Sequence, residues 1–203
     1  SMFGIPVGQS VWNGKAIFAV FSSTPRFVAF EEQVMNNPNH GGVAGVRSGR
    51  QRFLMTSINK KIDDGMLRGI AWGYSLGFAS RLHSDARGVP WMNQGISNVV
   101  PATLFPDQRR KRSQRSRVTQ QLQNSRSLLG LLDATRIDND RRPLCGELVQ
   151  FLMTADPIAF SQMFRDVKLG VPMEEALQQN FGVSSEEFAL RFGNSCGVPG
   201  LTK

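Results

Sequence analysis

Ile70 to Val100, IAWGYSLGFASRLHSDARGVPWMNQGISNVV, decides how this chain is read. The stretch predicts a helix, a short connection and the start of a second helix. Its first half is apolar on almost every turn, through Ile70, Trp72, Tyr74, Leu76, Phe78 and Leu82. A helix apolar that far round is normally buried, so the reading makes it the central helix of the fold. Gly69, Gly73 and Gly77 recur every four residues and form a smooth row on one face. Each glycine costs about 1 kcal/mol against alanine in a helix interior, which predicts a closely packed neighbour. Asp63-Asp64 suits the start of this helix, and Pro90 pre-sets the start of the next.

The second half, Gly88-Val-Pro-Trp-Met-Asn-Gln-Gly-Ile96, resembles the second motif of gluzincin-type zinc metallopeptidases, in particular the peptidase-MA-like domains of bacteria. In that family a buried helix carries His-Glu-x-x-His. Two histidines four residues apart hold one zinc, the intervening glutamate is the general base, and a glutamate on the following helix is the third ligand. The resemblance puts Trp72 and Leu76 at the histidine positions, Gly73 at the general base and Gln94 at the third ligand. A catalytic zinc site needs three protein ligands with N, S or O donors and an open position for water. Trp72 and Leu76 supply none, and a neutral amide is a poor one. The resemblance therefore implies a pseudopeptidase with no catalytic residue, no metal and no cofactor. Gly170-Val-Pro-Met-Glu-Glu-Ala-Leu-Gln-Gln-Asn-Phe-Gly-Val-Ser-Ser-Glu-Glu-Phe188 resembles the helix pair that closes the lower lobe in the same family.

The implied fold is α+β and zincin-like: a small N-terminal mixed sheet, the central buried helix and a mostly helical C-terminal lobe. Lys15 to Ser22 reads as a strand, Thr24 to Met35 as a helix, and Val43 to Val46 and Arg52 to Ile58 as two further strands turning at Ser48-Gly49-Arg50. The domain is expected over 15–195, after a loose arm at 1–14 and before a frayed tail at 196–203. Val118 to Ala134 and Leu144 to Thr154 read as helices. Asp156-Pro157 starts another, which Gly170 ends, and Ser184 with Glu187 forms a capping box.

Composition is ordinary for a soluble globular chain, at 40% hydrophobic and 20% charged. No run approaches the ~20 apolar residues of a membrane helix. Ser1-Met2 reads as a scar of tag cleavage, so export after loss of a signal peptide stays open. Cys145 and Cys196 fit either one disulfide or two thiols. Net charge is +8 and the sequence pI is about 10.3. Much of that charge lies in Arg109, Arg110, Lys111, Arg112, Arg115 and Arg117, read here as a basic loop over 109–117 after a helix break at Pro101 to Pro106.

Three functions follow. The first is a catalytically inactive domain that binds or scaffolds a protein or peptide, with a residual cleft at Trp72, Tyr74, Leu76, Trp91, Asn93 and Gln94. In it Trp72 and Trp91 fill the former zinc cavity. The second is a polyanion or nucleic-acid binder acting through the six cations at 109–117. No aromatic residue is interleaved there, so single-stranded bases have no stacking platform. The third is an enzyme of different chemistry using Asn93, Gln94 or His83. His83 stands about 10 Å beyond Leu76 along the helix, too far to restore a zinc site, and His40 sits in a Gly/Asn loop.

Overall fold

Helices build this protein and its core. The computed structural model describes residues 15–34, 36, 44–48, 52–58, 63–82, 89–128 and 130–203, with the strands at 44–48 and 52–58 described as backbone. Among them are β1 (Lys15–Phe21), α1 (Thr24–Gln33), β2 (Ala44–Ser48), β3 (Arg52–Ile58), α2 (Asp64–Arg81), α3 (Pro90–Leu104) and α4 (Gln108–Ser125). There follow α5 (Arg142–Ala155), α6 (Pro157–Lys168), α7 (Met173–Phe181) and α8 (Ser185–Ser195).

The expectation of an α+β, zincin-like fold is corrected: the chain is predominantly helical. The three short strands pair in the order β1-β3-β2, with β1 parallel and β2 antiparallel to β3. Among the described side chains, none before Phe78 joins the core cluster. Phe21 of β1 packs on Phe27 and Phe30 of α1, and Phe18 stacks on Tyr74 of α2 at 6.3 Å. The strand propensity of KAIFAVF is real, but the apolar area that holds the domain together lies in the helices.

The central helix is also a different one. Tyr74 and Leu67 of α2 are exposed. Its buried positions are the small residues Gly73 and Gly77 on one side and Ser75 and Ala79 nearly opposite, since each residue turns the helix by about 100°. The element buried on nearly every side is α3, where Trp91, Met92, Gln94, Gly95, Ile96, Ser97, Val99 and Pro101 are all inside. It lies between α2 and α5. Pro101 does not break it. Helix continues to Leu104, and the Thr103 hydroxyl bonds the Val99 carbonyl at 3.0 Å. A proline removes one donor and crowds one carbonyl, a defect that burial of Pro101 on a packed helix overrides.

The approach of α3 to α5 depends on glycine. A Cβ at Gly95 would stand 2.5 Å from the Cys145 carbonyl oxygen and would overlap a Val149 methyl. A Cβ at Gly146 would meet Asn98 Cβ at 3.1 Å. The Asn98 amide donates to the Arg142 carbonyl at 2.6 Å, tying α3 to the first turn of α5.

Side-chain caps set half of the α-helix starts, those of α2, α4, α6 and α8. Asp63 accepts from the Met66 amide, Asp156 from Ile158 and Ala159, and Ser184 from Glu187. The capping box at Ser184 is half formed, because the Glu187 carboxylate turns to Arg191 at 2.6 Å. Glu174 of α7 instead reaches the start of α8 and accepts from the Ser185 amide. The helix expected over Val118 to Ala134 ends at Ser125, with Arg126 left-handed at φ 53, and a short 3₁₀ turn follows at Leu131–Asp133. The tail is not frayed. Val198 and Leu201 are buried, Leu128 donates to the Thr202 carbonyl, and Thr202 donates back to Arg126. Gly193 makes room for it, since a Cβ there would lie 2.5 Å from the Val198 carbonyl. The arm at 1–14, the loop holding His40 and the turn at residues 49 and 50 lie outside the described residues.

Gly95→Ala is expected to destabilise the fold by about 1–3 kcal/mol, the usual cost of overpacking. Gly69→Ala, where an added Cβ meets nothing within 4 Å, is expected to stabilise by about 0.5–1 kcal/mol. Urea unfolding of both variants checks the contrast.

Candidate functional site

The basic segment expected as a loop over 109–117 is the first half of α4. Pro106 ends the preceding chain, and Asp107 caps the new helix by accepting from the Arg109 and Arg110 amides, each at 3.0 Å. The bond from Arg110 is the largest cause holding the Asp107 carboxyl below its usual range. Arginine, lysine and glutamine are good helix formers, and no glycine, proline or β-branched residue interrupts Gln108 to Arg117. The segment is therefore helical for local reasons that the density of charge hides.

From Gln108 to Arg117 no side chain is fully buried, and all six cations are exposed. Full burial begins at Val118 and Leu122. The first half of α4 is thus an exposed surface helix over about 15 Å, and the second half carries its buried anchors. At about 100° per residue, Lys111, Gln114 and Arg115 fall on the same side as Val118 and Leu122. Two observations agree with that assignment: Gln114 is half-buried, and Arg115 donates to the Ser195 carbonyl at 3.0 Å. Thr119 adds a bond to the Cys196 carbonyl at 3.5 Å. By the same rotation Arg109 lies opposite the buried side, and Arg110, Arg112 and Arg117 lie on its flanks. Among the described residues none of the six cations forms an ion pair.

Where α4 meets α5, burial pushes the Glu147 carboxyl up, and Arg115 and Lys111 pull it back. Cys145 and Cys196 are both free thiols. Burial raises Cys145 to about 12 and also raises Cys196, against a bond from Ser195. Neither is tuned as a nucleophile.

The degenerate peptidase positions lie on α2 and α3. Trp72 is half-buried with the Arg142 guanidinium 5.7 Å over its ring. Gly73 is buried, and Leu76 half-buried. The Gln94 amide donates to Ser97 at 3.2 Å, within its own helix. Trp91 is fully buried in the core, and among the described residues its indole N–H has no partner. Asn93 is half-buried, and among the described residues its side-chain oxygen has no partner. Tyr74 faces β1, on the other side of α2 from Trp72. Tyr74 thus leaves the side of α2 that carries Trp72 and Leu76. His83 and Asp85 lie outside the described residues, and among those described no three His, Cys, Asp or Glu side chains group as metal ligands. Among the described residues no helix is long and apolar enough to cross a membrane.

Compared with protein-family models, curated proteins and solved structures, the chain finds no match.

Reading the cations alone passes over Ser113, Ser116 and Gln120, which share the outward face of α4. The available signal is the absence of any Asp or Glu between Asp107 and Asp133.

Because the folded pKa of Glu147 is raised, ionising it opposes folding. Its favourable effect is complete below the unfolded value of about 4.3 and is lost as pH rises through the folded one. Glu147→Gln is therefore expected to melt higher than the parent at pH 7, with the gap closing below pH ~4. Thermal melts across that range check it.

Proposed function

We propose that this protein is a non-hydrolytic binding domain and that the first half of α4 engages the phosphates of a polyanion, nucleic acid foremost. The observation that carries this reading is the set of six exposed cations on one surface helix, without an ion pair among the described residues. Neutralising phosphates there would release condensed counterions, a driving force that needs no pocket. A net charge of +8 favours encounter with such a partner at long range.

Hydrolysis of the metallopeptidase kind has no chemical support from Trp72, Gly73, Leu76 and Gln94. Indole and isobutyl groups do not ligate zinc, and glycine has no base to offer. This part of the reading rests on the resemblance of residues 70–100 and 170–188 to peptidase-MA-like domains. The same loss favours a role in binding.

Fluorescence anisotropy with a duplex oligonucleotide over a salt series tests the polyanion reading. The parent is expected to bind with an affinity that falls steeply with salt. Arg110→Gln, Arg112→Gln and Arg117→Gln together are expected to flatten the log–log slope by roughly 0.9 per lost contact. An unchanged affinity and slope would remove α4 as the site. Elemental analysis is expected to find no stoichiometric metal, and added zinc to leave the melting temperature unmoved. A melt raised as mass action requires for a ligand of the native state would reopen the metallopeptidase chemistry.

A further inference from the structure

We propose that α4 is a reading helix for the major groove of B-form duplex DNA, with Arg109, Ser113, Ser116 and Gln120 facing base edges. The proposal rests on the polyanion reading above and specifies its partner.

The argument starts from the direction in which α4 is held. Val118 and Leu122 are buried and fix the inward side. At about 100° per residue, the line directly opposite runs through Arg109, Ser113, Ser116 and Gln120. All four are exposed. Arg110 and Arg117 lie to one side of that line and Arg112 to the other. The outward surface is thus a central row of hydrogen-bonding side chains between two flanks of arginine, about 16 Å long.

Each part of this surface has a counterpart in a duplex. Phosphate contacts position a protein on DNA and base contacts specify the sequence. Flanking arginines suit the two phosphate walls. The central row holds residue types that read base edges: arginine bidentate to guanine, glutamine bidentate to adenine, serine to either. The two serines stand in the middle of the row, between Arg109 and Gln120. Their short side chains let the helix settle toward the groove floor, where longer ones would hold it off. A helix with its side chains is about 10–12 Å across, and the B-DNA major groove is about 12 Å wide. Entry requires an outer face clear of the body, and the side chains of α4 on that face, Arg109, Ser113, Ser116 and Gln120 with Arg110, Arg112 and Arg117 beside them, are all exposed. No carboxylate from Gln108 to Leu132 opposes the approach.

Other polyanions fit less of this. The major groove of A-form RNA is too deep and narrow for side chains to read. Single strands call for aromatic platforms, and α4 has no aromatic residue. A sulfated polysaccharide would use the arginines and leave the Ser113–Ser116–Gln120 row without a role.

The test is selection of the full chain against a pool of randomised duplex DNA, repeated with Ser113→Ala, Ser116→Ala and Gln120→Ala combined. This variant keeps all six cations. Circular dichroism verifies that it is folded, and alanine at exposed helix positions favours helix. The parent is expected to enrich a motif of about five base pairs, the length of duplex that 16 Å spans at 3.4 Å per pair. The variant is expected to bind the pool with an unchanged salt slope and to lose preference on the order of tenfold at the base pair that Gln120 reads. Salt-dependent binding of the pool with no enriched motif would overturn the groove reading and leave the polyanion reading standing. So would a motif indifferent to the variant, or equal competition by duplex RNA or heparin. Failure of every nucleic acid and of heparin to bind at low salt would overturn both.

Discussion

Everything in the helical body depends on how closely α3 can approach α5. At Gly95 the two backbones come so near that a single methyl group would overlap the Cys145 carbonyl. Gly146 and Asn98 repeat the same tolerance on the partner side, and the Asn98–Arg142 bond keeps the register. Interiors packed at crystal-like density transmit such constraints, because no void exists to absorb a shift. With α5 placed against α3, the positions of its neighbours α4 and α6 follow. Lys168, fully buried at the end of α6, then reaches back to the Ser80 carbonyl in the last turn of α2 at 2.8 Å. A cation suits that end of a helix.

α4 inherits its orientation from this frame and its anchorage from the tail. Arg126 takes a left-handed conformation uncommon for a side chain of its size. The bonds from Thr202 and the packing of Leu128 and Leu201 hold it there. At the other end of α4 the chemistry runs against the usual rule. Four consecutive cations, Arg109 to Arg112, crowd the end of the helix whose macrodipole is already positive, and Asp107 at the cap is the one acid set against them, with none in the first turn. Natural chains tend to break a local rule where function requires it. A surface that repels itself in isolation is satisfied by an anionic partner, which links this conflict to the proposed role.

Local signals were legible in the sequence, and long-range ones were not. Asp63, Asp156, Ser184 and Gly170 mark helix ends through chemistry that acts over three or four residues, so reading them needs no fold. Strand β1 announces itself through a short apolar run in the same way. Pro101 misleads because proline is judged by its local cost, whereas its burial on α3 is a property of the whole molecule. The Gly/Pro-rich tail misleads for the same reason, since its docking depends on Gly193 and on a groove that only the folded helices create. The stretch 70–82 is apolar on all sides because α2 meets β1 through Tyr74 and α5 through Trp72. Such a helix has the composition of a central one without occupying the centre. At the candidate site, the charge was plain and the helix was not: density of arginine suggests a solvated loop until the Asp107 cap is weighed against it. The orientation of that helix came only from knowing that Val118 and Leu122 are buried.

Amide hydrogen exchange of the full chain, with and without duplex DNA, tests the central claim most directly, because it locates the contact without altering a residue. Protection gained within Gln108–Gln121, with α1 and α7 unchanged, is the expected result. Protection confined to α2 and the start of α3, or to α1 and the sheet, with α4 exchanging as in the free protein, would contradict it.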